Sequence, residues 1–92
     1  MRPLSHVIPG ALRRLLQDTP LSPGKVGFAW RAAVGPAVER ATYVRLEGTV
    51  LLVDTTSAEW SREIMRSSPV ILKKLQELLG DRVVERIEVR RA

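Results

Sequence analysis

The sequence has no cysteine and a single histidine, His6. The absence of cysteine excludes a disulfide framework and a thiolate metal site. One histidine near the N-terminus supplies neither a cluster of metal ligands nor a base that would activate a serine nucleophile. The chain also lacks a glycine-rich phosphate loop that ends in Lys-Ser or Lys-Thr. We therefore predict a protein that is not an enzyme and that uses no metal or other cofactor.

Long apolar segments are also missing. No apolar run approaches the roughly 18–20 residues that a membrane-spanning helix needs, and the N-terminus has no secretory apolar core. A chain of 92 residues is long enough for one small domain. We expect a single cytoplasmic domain over residues 1–92, in which residues 1–6 form a flexible arm.

Charge is distributed unevenly along the chain. Residues 1–46 contain seven Lys or Arg and two Asp or Glu, whereas residues 47–92 contain eight of each kind. A basic half favours a polyanionic partner such as nucleic acid. Arginine enrichment for solubility explains the same excess, so charge alone leaves both interpretations open.

Residues 48–64 are the predicted centre of the fold. Val50 to Thr55 is dominated by β-branched and leucine side chains, which predicts a buried strand. Ser57 is a candidate N-cap, because its hydroxyl can accept a hydrogen bond from a free backbone N–H of the next helical turn. Trp60 and Ile64 lie one helical turn apart and therefore share a face. A buried strand thus leads directly into a helix anchored by tryptophan.

Periodicity predicts the other elements. Apolar residues at helical spacing indicate helices, and alternation indicates strands. Trp30 and Trp60 fall on apolar helix faces, so we assign both to the core rather than to a stacking surface for bases. The predicted elements are helices over residues 8–18, 23–34, 57–66 and 69–79, a short helical turn over 36–40, and strands over 42–47, 50–55 and 83–90.

This order predicts an α+β fold, a three-stranded mixed sheet with helices packed on one face. The first two strands form a hairpin about Gly48-Thr49, and the last strand lies parallel to the second after a right-handed crossover. The other sheet face has no predicted cover. It carries Tyr43, Val50 and Leu52, which we predict as partner-binding residues.

Arg66-Ser67-Ser68-Pro69 is predicted to separate two helices between the second and third strands. Helix, strand, strand, helix, helix, strand is the order of a type II KH module, which grips single strands at the loop between its paired helices. A KH domain has Gly-x-x-Gly in that loop, where this chain has Arg-Ser-Ser-Pro. Arg66 and Ser68 are candidate phosphate ligands there, beside the N-terminus of the following helix.

Basic side chains elsewhere are further candidates for phosphate contacts, which are independent of base sequence and sensitive to salt. Whether they share one surface is not visible in the sequence. The predicted nucleic-acid-binding residues are Arg13, Arg14, Lys25, Arg31, Arg40, Arg45, Arg66, Ser68 and Lys73.

Several segments, in this order and at this spacing, resemble one family. They are Trp30 with Val34-Gly35, then Thr42, the strand Gly48–Val53, Ser57-Ala58-Glu59-Trp60, and the helix containing Leu72 and Leu75 that ends in Leu79-Gly80. The resemblance covers roughly residues 8–90 and is to the DciA family of KH-like bacterial proteins. Its members help the replicative helicase onto single-stranded DNA without hydrolysing ATP. The resemblance therefore implies a nucleoid-associated, DNA-binding helper whose partner is the replicative helicase.

Two alternatives stay open. One is a protein-interaction module that uses the uncovered sheet face, of which a homodimer formed through that face is one version. The other is an RNA- or ribosome-binding protein, because KH-like folds bind RNA as readily as DNA. A competition between single-stranded DNA, duplex DNA and RNA separates the nucleic-acid alternatives.

Overall fold

The computed structural model of the chain describes residues 9–91, so the predicted arm over residues 1–6 lies outside the described part. The strands form one sheet in the order β1-β2-β3, with β1 antiparallel and β3 parallel to the central strand β2. This confirms the predicted α+β fold with a mixed three-stranded sheet. The elements are α1 (Gly10–Gln17), α2 (Pro23–Val34), α3 (Pro36–Arg40), β1 (Thr42–Glu47), β2 (Val50–Thr55), α4 (Ala58–Leu79) and β3 (Arg86–Arg91).

The ends of α2 follow from local chemistry. Ser22 is the N-cap, and its hydroxyl accepts a hydrogen bond from the backbone N–H of Lys25 at 3.1 Å. Pro23 stands at the first helical position, where its missing N–H has no consequence. Gly35 ends the helix with φ at 87°, a left-handed value that glycine adopts readily. The predicted boundaries of α2 are confirmed.

The hairpin is also confirmed, with the predicted register of faces. Gly48 turns the chain with φ at 60°. The pairs Val44–Val53 and Leu46–Leu51 face the helices, and the alternate residues of both strands face the other side of the sheet.

The helices form a second layer over one face of the sheet. Helix α2 packs over β1, α4 packs over β3 and β2, and α1 packs against α4. Trp30 is 1% exposed in the core between these layers, while Trp60 is half-buried and packs against the core. The fully buried side chains of α4 are Ile64, Ile71, Leu75 and Leu78.

The predicted break at residues 67–69 is wrong, because α4 continues for 22 residues with Pro69 inside it. Ile64 and Ile71 lie two turns apart on the same buried face, so a straight helix keeps one apolar stripe against the sheet. Pro69 is exposed, so the backbone bond that it removes lies on the solvent side. Burial of the continuous stripe outweighs the loss of that one bond.

The last strand is shorter than the predicted 83–90, since β3 begins at Arg86. Val84 is fully buried before the strand starts, and its carbonyl accepts a hydrogen bond from the Gln76 side chain at 3.1 Å. The backbone N–H of Glu85 bonds to the Thr49 carbonyl at 2.8 Å. Val83 and Val84 therefore pack the connection between α4 and β3 against the core, and they do not extend the hydrogen bonding of β3.

Candidate nucleic-acid interface

The outer face of α4 carries three exposed cations, Arg62, Arg66 and Lys73, which we call the α4 basic stripe. At about 100° per residue, the three fall within an arc of about 40° on the helix surface. They point away from the buried stripe that contains Ile64 and Ile71. At about 1.5 Å per residue, the stripe is about 16 Å long. Only a continuous helix produces this alignment.

The charges of the stripe are largely available to a ligand. Arg66 lies 3.6 Å from Glu63, but its side chain is 76% exposed, and such surface pairs are weak. Within the described residues, Arg62 and Lys73 form no ion pair with a carboxylate. The next residue, Lys74, is different. Burial lowers the pKa of its ammonium group, an effect that the nearby Glu77 carboxylate opposes, so we leave Lys74 out of the stripe.

Apolar side chains border the stripe. Met65 is 53% exposed and Val70 is 51% exposed, one on each side of the line of cations. They offer apolar contact area next to positive charge.

A second group of predicted cations lies on the first three helices. Arg13 and Arg14 are exposed on α1, which packs against α4. Arg31 lies 3.9 Å from Glu39, and the Arg40 Nε donates to the Pro36 carbonyl at 3.3 Å. These residues belong to the same helix layer as the α4 basic stripe, but they lie on α1, α2 and α3.

Two predicted ligands have other roles in the structure. Lys25 is only 9% exposed, and its ammonium group donates a hydrogen bond to the Thr19 carbonyl. Ser68 is half-buried, and its hydroxyl donates to the Ile64 carbonyl one turn earlier at 3.1 Å. No helix begins at Ser68, so the predicted phosphate site at a helix N-terminus is wrong. Neither side chain is presented to a ligand.

The uncovered face of the sheet carries charged side chains, but its net charge is zero. Its three arginines stand against three carboxylates, so nothing on it attracts a polyanion. All three arginines are in ion pairs, which are Arg45–Glu47 at 2.8 Å, Arg86–Glu88 at 3.5 Å and Arg90–Asp54 at 3.0 Å. Arg45 therefore lies apart from the other predicted nucleic-acid ligands.

The predicted partner-binding residues do lie together on that face. However, Tyr43 alone is fully exposed, at 77%. Val50 is half-buried and Leu52 is 6% exposed between the strands that carry the ion pairs. The expected apolar patch is therefore one tyrosine beside paired charges, and not a continuous hydrophobic surface.

Arg62 was missed as a candidate ligand by the sequence analysis. The signal was present, since residues 62, 66 and 73 have the i, i+4, i+11 spacing of one helix face. The predicted interruption at Pro69 placed Lys73 on a separate helix and concealed the alignment.

Other kinds of site find little support in the part of the chain that the structure describes. Residues 9–91 contain no group of three or more His, Asp or Glu side chains arranged to hold a metal ion. Among the described helices, none combines the length and the apolar character needed to span a bilayer.

Comparison with known proteins gives one result. The family described as "Dna[CI] antecedent, DciA" matches residues 3–89, almost the whole of the 92-residue chain. No curated protein and no solved structure gives a significant match. The family is associated with helicase loading in DNA replication and implies an interaction with the replicative helicase. The order of segments that pointed to this family is thus matched over the length of the domain, and the chain belongs to the DciA family.

Proposed function

We propose that this protein is a non-enzymatic accessory factor that binds single-stranded DNA and helps load the replicative helicase. The observation that carries the proposal is the α4 basic stripe, a line of three exposed cations on a domain of the DciA family. The family supplies the replication context, and the stripe supplies a surface for the nucleic acid.

The chemistry of the stripe favours contacts to phosphates. Arginine and lysine bind phosphate oxygens without reading the base sequence, and the release of counterions drives such binding. A helicase loader needs this kind of contact, because it must act on whatever sequence is unwound. The neutral sheet face gives DNA no reason to bind there, so the helix layer is the side that meets the strand.

The shape of the surface favours a single strand over a duplex. The cations form one row instead of two, and Met65 and Val70 stand beside them. Bases of a single strand are free to turn toward such apolar side chains, whereas those of a duplex stay stacked inside it. RNA presents the same phosphates and bases, so it is the main competitor in a test. A role in replication also implies a cytoplasmic, nucleoid-associated protein.

The test is a salt titration of binding to fluorescent single-stranded DNA, duplex DNA and RNA of equal length. We expect tightest binding to single-stranded DNA, and a preference that persists near physiological salt. The double substitution Arg62→Glu with Arg66→Glu should weaken binding at least tenfold. Arg45→Glu with Arg86→Glu, on the neutral sheet face, changes the net charge by the same amount and is the matched control, which should change affinity less than threefold. Equal binding to all three nucleic acids that vanishes with salt would contradict the proposal.

The second half of the proposal is tested with the intact replicative helicase of the same organism. We expect the protein to bind the helicase and to increase the fraction of helicase loaded on single-stranded DNA coated with its binding protein. The Arg62→Glu, Arg66→Glu variant should still bind the helicase but should load it poorly. Loading that is equally efficient with this variant would remove the stripe from the mechanism.

A further inference from the structure

The helix layer of this fold is wider than its sheet. Helix α2 packs over the edge strand β1, and α4 packs over β2 and β3. A helix with its side chains is about 10 Å wide, and neighbouring strands lie about 4.8 Å apart. Two helices side by side therefore cover about four strands, whereas this sheet has three. Because α2 is centred on the edge strand, the excess width lies beyond β1.

Two hollows open between α2 and β1. The first, about 310 Å³, is lined mainly by apolar side chains of the α1–α2 connection, α2 and β1, including Leu21, Val26 and Leu46. The second, about 390 Å³, is lined by Gly27 and Trp30 of α2, by Glu39 and Arg40 of α3, and by β1 residues. Val44 lines both, so the hollows follow one another along the edge strand. Side chains of a further strand, pointing toward α2 at alternate positions, would enter them in turn.

Gly27 is an independent sign that this space is used. It lies in the interior of α2, where glycine is less favourable than alanine by about 0.5–1 kcal/mol. Its φ is not in the left-handed region, and a Cβ added to it would have no heavy atom within 4 Å. Neither backbone conformation nor internal packing thus requires a glycine here. Its effect is that no side chain enters the second hollow from this position.

We propose that the edge of β1 beneath α2, which no strand of the described residues 9–91 occupies, is a fourth-strand position that an extended segment of a protein partner fills by strand addition. The segment carries apolar side chains at alternate positions, and the free N–H and C=O groups of β1 bind its backbone. This inference rests on the proposed function, which makes the partner the replicative helicase. The rim of the second hollow carries both Glu39 and Arg40, so it offers charges of both signs to polar side chains of the segment.

A second copy of this chain does not fit the same position. Symmetric pairing of two β1 strands would place them about 4.8 Å apart, and each brings its own α2 directly above it. Packed helices need about 8–10 Å between their axes, so the two α2 helices would overlap. An isolated extended segment has no such helix. The first hollow is lined mainly by apolar side chains and the second carries the Glu39 carboxylate, so neither suits a nucleic acid backbone.

The experiment compares two substitutions at Gly27 in the full chain. Gly27→Leu places a side chain in the second hollow, whereas Gly27→Ala gives the same gain in helix propensity with far less filling. Both variants should fold, and both should have a Tm at or above that of the wild type. Affinity for the intact replicative helicase should fall at least tenfold in Gly27→Leu and should stay within about threefold in Gly27→Ala. In the wild type, helicase should slow hydrogen exchange of the β1 amides at least tenfold.

The outcomes separate this inference from the proposed function. Helicase binding that is unchanged in Gly27→Leu, with no protection of β1, overturns the fourth-strand position and leaves helicase loading intact. A wild type that does not bind helicase overturns the proposed function and this occupant together. A wild-type homodimer that becomes monomeric in Gly27→Leu assigns the position to a second copy and also overturns the inference. Loss of binding in Gly27→Leu alone, with β1 protected in the wild type, supports it.

Discussion

The indole Nε1 of Trp30 donates a hydrogen bond to the Thr42 hydroxyl at 2.9 Å, and both residues are buried. The same hydroxyl donates to the Val38 carbonyl at 2.9 Å. One threonine at the start of β1 therefore joins α2, α3 and the sheet. In the described part of the chain, every buried side-chain nitrogen and oxygen has a hydrogen-bond partner, and the acceptor for this indole is the Thr42 hydroxyl.

Replacing Thr42 should show how much the hydrogen bond from the Trp30 indole contributes to the free energy of unfolding. Thr42→Val keeps the shape but leaves the Trp30 donor unsatisfied in the core, which costs about 1–3 kcal/mol of unfolding free energy. Thr42→Ser keeps the hydroxyl and should cost about 1 kcal/mol or less, close to the value of one buried methyl group. Urea unfolding measures both. Equal losses in the two variants would show that the hydrogen bond contributes nothing.

Pro69 provides a test of the continuity of α4. Proline inside a helix costs about 3 kcal/mol, partly because the carbonyl four residues earlier, that of Met65, loses its donor. Since Pro69 is exposed and replacing it creates no cavity in the core, Pro69→Ala should raise the free energy of unfolding by about 1–3 kcal/mol. A control at an N-terminal proline, Pro23→Ala in α2, should change stability by less than about 1 kcal/mol. If Pro69→Ala destabilised the protein, Pro69 would instead begin a helix, as first predicted from the sequence.

The salt dependence of DNA affinity should report how many cations of the α4 basic stripe contact phosphates. Each phosphate contact to a single strand contributes about 0.7 to the slope of log affinity against log salt concentration. Arg66→Gln with Lys73→Gln should therefore lower that slope by about 1.4. The matched control is Arg86→Gln with Arg90→Gln on the sheet face, where the slope should not change. An equal decrease in both double variants would mean that DNA contacts both faces.

The ion pair between Arg90 and Asp54 joins β3 to β2 on the uncovered sheet face through two contacts, at 3.0 and 3.4 Å. Its side chains are 41% and 35% exposed, so solvent screens the attraction. A double-mutant cycle with Asp54→Asn and Arg90→Gln should yield a coupling of about 1 kcal/mol or less. The same variants should leave DNA affinity unchanged, because the stripe lies on the other side of the molecule. A coupling above about 2 kcal/mol would exceed what surface pairs contribute.

Much of the fold was readable from the sequence because local chemistry determines it. The ends of α2 are set by Ser22, Pro23 and Gly35, which act on backbone groups only a few residues away. The turn of the hairpin is likewise set locally, by Gly48. The alternation of β1 and β2 then assigns each side chain to a face. The resemblance to the family came from short segments at fixed spacing, such as Ser57-Ala58-Glu59-Trp60. None of these features depends on residues distant in the chain.

The candidate site was decided by tertiary structure. At Pro69 the local signal favours a helix break, but burial of one apolar stripe against the sheet outweighs the missing hydrogen bond and carries α4 through. That continuity aligns Arg62, Arg66 and Lys73. Folding likewise buries Lys25 and pairs the arginines of the sheet face with carboxylates from neighbouring positions and strands. The sequence by itself therefore determined the elements and the number of charges, whereas packing between distant segments determined which charges remain available to DNA.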